Sequence, residues 1–376
     1  MSVRIVFAIC MLLSSFQVLH GQKKEDGSSE FYVSATDKDT QTPDTLALDT
    51  IAKGKPRNWL RKLVKLIDFN NPDRRYITPN LYNFTFMVNT TSSYEHYRIA
   101  SSNDKEQSLS FIPTPGWKVG AYFGWQWIFL GWSIDVHDIF GGKKHRSKRN
   151  EFNLSLYSAK LGADIYYLKS SDNYKVSNLN GFSQIDSHKN FQFDGLKSEM
   201  KGINLYYIFN NRRFSYPAAY SQSTNQRKSA GSFLAGFSYS THKLTFDYNQ
   251  LPECINSQLE SNMRFSKMRY VDYSLNFGYG YNWVFAKNCL ANLSVTPAIG
   301  YKHSDIYFDN MAYNEHHRSI NFDIITRAAI VYNNTKYYVG ASLLAHTFDY
   351  HKNRFWINNT YGVLQLYVGF NFCKKK

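Results

Sequence analysis

The chain has 376 residues, and its 44 Lys and Arg against 29 Asp and Glu give a formal charge of +15. Aromatics make up 17% of it, yet the mean hydropathy is −0.45, which suits apolar residues alternating with polar ones. After the first twenty or so residues no run of about 18 apolar residues occurs, which excludes a helical membrane span.

Residues 1–21 read as a secretory signal. Arg4 is the basic start, residues 5–13 the apolar core, and cleavage after Gly21 leaves Gln22 first. Cys10 lies in that apolar core, so no lipoprotein anchor is expected. Cys254, Cys289 and Cys373 remain, without a C-x-x-C pair, which makes neither a disulfide scaffold nor a zinc site. Residues 22–57 are polar and nearly free of aromatics, and are expected to be a disordered periplasmic segment. In residues 58–75 an amphipathic helix and linker are expected. Trp59, Leu60, Leu63, Val64 and Ile67 fall at helical spacing opposite Arg61, Lys62 and Lys65.

From Tyr76 the period becomes two. Phe84, Phe86 and Val88 alternate with Asn83, Thr85 and Asn89, and a second short strand is expected over 94–100. In 117–136 the apolar positions change from odd to even, which demands a turn or bulge near Gln126; the same occurs in 151–168. Further strands are expected over 201–209, 232–243, 271–285, 290–301, 320–332, 336–348 and 361–372. The clearest is 271–285. There Val271, Tyr273, Leu275, Phe277, Tyr279, Tyr281, Trp283 and Phe285 hold the odd positions, and only Val284 breaks the polar even set. Pro297 cannot donate to a ladder, so a bulge is expected beside it.

This pattern predicts an all-β chain. Residues 76–373 form a transmembrane antiparallel β-barrel of about twelve strands, with ten to fourteen admissible. Connections alternate in length, with 287–289 and 333–335 short, and 302–319 and 349–359 long. Short periplasmic turns and long external loops are the expected asymmetry. The expected location is the bacterial outer membrane, with the N-terminal segment in the periplasm.

Several pieces carry a family resemblance: YITPNLYNFTF at 76–86, GAYFGWQWIFLGWSIDV at 120–136, EFNLSLYSAKLGADIYY at 151–167 and RRFSYPAAYSQSTNQRKSAGSF at 212–233. They resemble an uncharacterised family of Bacteroidetes proteins, domain of unknown function 4421. The resemblance implies a secreted, outer-membrane protein and brings no activity or catalytic residue. The last strand, with Phe370 and Phe372, is similar to the signal read by the barrel-assembly machinery, although Cys373 and three lysines follow it.

No nucleophile elbow or phosphate-cradling loop is present. Ser240 and His242, two apart on one strand, share a face but lack a third group to orient them. Glu315, His316 and His317, with His303 and Asp305 upstream, are read as solvated loop residues, and neither metal nor cofactor is expected. The basic residues are scattered apart from 143–149, so contact with outer-membrane lipid or lipopolysaccharide phosphates is expected and nucleic acid is not. The Asn-x-Thr/Ser triplets at Asn83, Asn89, Asn153 and Asn292 are read as polar alternation.

Opposite the lipid-facing positions stand Asp272, Asn276, Asn282, Asn321, Asp323, Arg327, Ser342 and His346, the candidate lumen lining, in which Asp323 could pair with Arg327. The long connection 211–231, with Arg212, Arg213, Tyr216, Pro217 and Tyr220, is a candidate constriction loop or else a surface connection. Three functions follow in order. The first is a passive channel or small-molecule transporter. The second is a closed structural or interaction barrel whose external loops bind an envelope or surface partner. The third is a lipid-modifying barrel enzyme.

Overall fold

The structure, a computed structural model, describes residues 72–101, 106–114, 116–125, 128–136, 148–171, 174–183, 191–308, 315–352 and 355–375. The expected signal, polar segment and amphipathic helix lie outside the described residues, as does most of the basic run 143–149. In chain order the strands are β1 (Ile77–Pro79), β2 (Tyr82–Ser101), β3 (Ser108–Pro113), β4 (Gly116–Trp125), β5 (Ile128–Asp135), β6 (Lys148–Tyr157), β7 (Leu161–Ser171) and β8 (Tyr174–Asn180). They continue with β9 (Gln192–Phe193), β10 (Leu196–Ile208), β11 (Thr224–Gln226), β12 (Ala230–Phe246) and β13 (Phe265–Ala286). The last four are β14 (Cys289–Phe308), β15 (Glu315–Asn333), β16 (Tyr337–Lys352) and β17 (Phe355–Lys374).

All pairing is antiparallel. The ladder runs β6-β7-β10-β12-β13-β14-β15-β16-β17-β2. There β2 takes two partners on one edge: β4 along residues 84–93, and β3 along 97–100. Strand β4 then pairs β5, and β3 pairs β8. Since β8 follows β7 after only two residues, the two ends of the path are held within roughly 11 Å of chain. The sheet is therefore curled into a barrel of twelve staves: β2, β4 to β7, β10 and β12 to β17. No ladder between β5 and β6 is formed among the described residues.

The two changes of parity are hairpins, not bulges. Trp125 pairs Ile128 between β4 and β5, and Tyr157 pairs Gly162 between β6 and β7. The two short strands expected over 83–100 are one strand, β2. At Pro297 there is no bulge. The β13–β14 ladder skips two pairs between Asn276↔Ala298 and Tyr279↔Val295 and resumes in the same register. Pro297 itself is exposed on the outer face of the barrel, and the ladder gap absorbs its missing donor.

The staves are longer than the alternation predicted, and one physical fact explains this: the alternation inverts along the longer strands. In β13 the exposed side chains from Tyr273 to Phe285 are apolar, and the inward ones from Asp272 to Asn282 are polar or glycine. Beyond Val271 the outward residues are Arg269 and Lys267, and the inward ones are the buried Tyr270 and Met268. The same inversion carries β14 on to Phe308 and β17 back to Phe355. Consequently the connections expected over 302–319 and 349–359 are mostly strand, leaving only 309–314 and 353–354 between strands.

Candidate functional site

Inside the barrel the side chains form three layers. The middle one is polar and spans the ring. Arg327 of β15 donates through Nη2 to Asp164 of β7, 163 residues away in sequence and five places along the ladder. Asp164 also accepts from Ser155 Oγ at 2.7 Å and from Asn204 Nδ2 at 3.1 Å. Asn204 Oδ1 in turn accepts from Ser238 Oγ at 2.8 Å and Asn276 Nδ2 at 3.0 Å. The Arg327 guanidinium lies 4.7 Å from the centre of the Tyr206 ring. Lys302 Nζ donates to Asp323 Oδ1 at 2.7 Å and to the Asp349 carbonyl at 2.5 Å. The buried Tyr361 of β17 donates to Oδ1 of the exposed Asn153 of β6 at 2.6 Å. Buried charges persist where they are paired and further hydrogen-bonded, and both ion pairs meet that condition.

At the end away from the short turns the interior is apolar. Tyr97, Ile99, Phe111, Val176, Phe246 and Phe265 form its wall. The connection 247–264 covers it with Tyr248, Leu251, Ile255, Leu259 and Met263 pointing inward. This cap carries a short helix, Glu253–Asn256, and is fixed by Gln107, which donates to Gln258 O at 2.8 Å and accepts from Glu260 N at 2.9 Å.

At the short-turn end the connection between β10 and β12 turns into the lumen. Its helix α1 (Tyr216–Tyr220) starts at Ser215, whose hydroxyl accepts from Ala218 N, with Pro217 in the first turn where no N–H is needed. Phe214, Tyr216, Pro217, Ala218 and Ala219 are buried. The alanines pack on Leu290, Val331, Tyr338 and Tyr367 of the barrel wall. Asn282 Nδ2 donates to Ser215 O at 2.9 Å, Tyr220 Oη to Asn292 Oδ1 at 2.5 Å, and Gln222 Nε2 to Tyr367 Oη at 2.9 Å. The following β11 pairs β1, which places the start of the described chain on the same plug. Asp73 N donates to Arg212 O at 2.8 Å, and Arg75, bonded to the Asp73 carboxylate, holds it at about 2, below the ordinary range.

Of the eight expected lining residues, Asp272, Asn276, Asn282, Asn321, Asp323, Arg327 and His346 face inward and are at most 5% exposed, and Ser342 is half-buried. The pairing expected between Asp323 and Arg327 is not formed. Each has a partner on another strand, Lys302 on the adjacent β14 and Asp164 across the lumen on β7, because residues four apart on a strand are about 13 Å from each other along it. In the expected constriction loop Tyr216 and Pro217 are buried and Tyr220 is half-buried, while Arg212 and Arg213 are exposed. Lys302, Asp164 and Asn204 were missed. The inward parity of β7, β10 and β14 was the available signal, and it was obscured where Lys302 was assigned to a loop.

Ser240 Oγ and His242 Nε2 are 2.9 Å apart, both buried, with His242 stacked 4.3 Å from Tyr270 and Nδ1 lacking a hydrogen-bond partner. His316 lies in β15, not in a loop, directly opposite Asp305.

These features define an antiparallel β-barrel with a filled interior. The chain belongs to the family described as a domain of unknown function, DUF4421, matched over residues 71–372. No curated protein matches it. Among solved structures it is similar to the outer membrane protease OmpT of Escherichia coli, at 8% identity over 81% of this chain and 100% of that one, TM-score 0.36. It is also similar to the translocator domain of the autotransporter NalP of Neisseria meningitidis, at 8% identity over 88% and 98%, TM-score 0.28. The toluene transporter TodX of P. putida is similar at 7% identity over 78% and 91%, TM-score 0.17. Likenesses this slight carry no further argument.

Proposed function

We propose that the protein is an outer-membrane barrel with a closed interior, a structural or recognition element that presents its long-loop end to an envelope or surface partner. The membrane placement rests on the inversion of alternation. An apolar outer face over a polar interior suits hydrocarbon, and a polar outer face over an apolar interior suits water. The exposed apolar stretch of β13 is about 13 residues, or roughly 30 Å of height once strand tilt is allowed for. Just beyond it stand the outward-facing Lys201, Lys243, Lys267, Arg269 and Arg318, placed to meet lipid or lipopolysaccharide phosphates. The strand end with Phe370 and Phe372 is the segment offered to the barrel-assembly machinery.

The closed interior rests on one observation: the buried Arg327–Asp164 pair joins strands five places apart directly. Side chains bonded across a lumen leave no column of water between them. A passive channel or transporter would need the plug and this layer to move. A lipid-modifying enzyme would need substrate at Ser240 and His242, which are buried. Planar-bilayer recording of the purified barrel, folded by the criterion of heat-modifiable gel mobility, tests the proposal. Electrical silence is the expected result, and steady single-channel conductance of the unaltered chain overturns it.

A further inference from the structure

We propose that His303, Asp305 and His316 form a binding site for a divalent transition-metal ion of the zinc class, on the outer face of the β14–β15 hairpin. One donor atom from each lies within 4.8 Å of the other two. The placement follows from register. His303 and Asp305 are two apart on β14 and so share a face, and His316 is the direct cross-strand partner of Asp305. Three donors are thus held on a paired backbone, not on a mobile loop. The His303 and His316 rings are nearly parallel, 3° apart with centroids at 6.4 Å.

One further observation points to a ligand. His303 Nδ1 is enclosed and has no hydrogen-bond partner, a lone pair or proton the protein itself does not satisfy. Asp305 Oδ1 is 2.5 Å from His316 Nδ1, a hydrogen bond that the ion would replace. Two imidazoles and one carboxylate select borderline cations over Mg²⁺ or Ca²⁺, which prefer all-oxygen sites. Donors on one Zn²⁺ at about 2.0–2.2 Å lie roughly 3.5 Å apart, so the wider separations must close by about 1 Å while the Asp305–His316 contact opens by about as much. His316 is 69% exposed and free to do so.

Arg269 pairs with Asp305 on one side and Arg318 with His303 on the other. Both are exposed, where water and salt weaken their repulsion of the ion. They also favour water or a small anion in the open fourth position. Occupied, the ion would clip β14 to β15 at the level where the apolar outer face ends.

The test uses the full, tag-free barrel in detergent with its cysteines changed to serine, so that no thiolate competes. Co²⁺ is the probe, read by its visible absorption and displaced by Zn²⁺. One Co²⁺ per chain is expected, weakened well over tenfold in His303→Ala and in His316→Ala and unchanged in His351→Ala. Absence of a Co²⁺ spectrum, or binding that survives both histidine changes, overturns the proposal. Independently, Zn²⁺ should protect His303 and His316 of the unaltered chain from acylation by diethyl pyrocarbonate and leave His351 reactive; equal reactivity with and without Zn²⁺ also overturns it.

Discussion

Lys302 and Asp323 meet inside the barrel with both side chains wholly shielded from solvent and Nζ 2.7 Å from Oδ1. A charge so placed is tolerable only while its partner remains. Asp323→Ala should therefore destabilise the barrel by about 3–5 kcal/mol, and Lys302→Met together with Asp323→Leu by distinctly less than the two single changes summed. Urea unfolding in lipid vesicles, followed by tryptophan fluorescence, measures both. An additive double variant would mean that the pair is uncoupled.

The plug is held by its own helix and by side chains of the wall, not by the ladder. Replacing residues 213–229 with a short Gly-Ser turn should leave β10 and β12 paired, since their register begins beyond it at Ile208↔Leu234. The outer apolar core and the Arg327–Asp164 layer stay in place, so the expected conductance is still nil. Removing the plug and changing Arg327→Ala and Asp164→Ala together should produce brief, small openings in planar bilayers. Large stable openings from plug removal alone would show that the upper layers do not seal.

Much of the barrel was legible because the lipid-facing stretch of β13 imposes a period of two, and Tyr273 to Phe285 keep it with Val284 as the one exception. The same rule hid the rest. Past Val271 the apolar residues Tyr270 and Met268 turn inward, so a reading that tracked one apolar face stopped there and assigned Lys302 and His316 to loops. Cross-lumen partners such as Asp164 and Arg327 are set by the curl of the whole sheet, and no local spacing reports them. The buried half of the plug was partly visible in Pro217 and its alanines, whose small size lets α1 approach Leu290 and Val331.

Glycine–tyrosine pairs across the ladder explain another part of the composition. Gly162, Gly202, Gly340 and Gly369 stand directly opposite Tyr206, Tyr166, Tyr367 and Tyr338. Each buried ring lies over its glycine, so that a Cβ at Gly162 would fall 2.0 Å from Tyr206. Gly162→Ala should cost about 1–3 kcal/mol by overpacking. Pairing it with Tyr206→Phe should restore little, since the clash is with the ring; recovery in that double variant would place the conflict at the hydroxyl instead.

At the entrance, the contact of Asp73 with Arg75 should survive acid. Its carboxyl titrates near 2 when folded against an ordinary 3.8, so whatever it adds is present above 3.8 and is lost only as pH falls through about 2. Carboxyl-carbon NMR of the selectively labelled protein should show this low value, and Arg75→Ala should return it toward 3.8. An unchanged titration in the variant would place the cause elsewhere.

With the apolar stretch of β13 in hydrocarbon, the strand still has the eight residues 265–272 to run, a rise of some 20 Å. The wall thus continues as a hydrogen-bonded collar past the lipid headgroups. In the orientation proposed above, this collar would hold the cap 247–264 clear of the bilayer surface, at a stand-off comparable to the inner sugars of a glycolipid leaflet.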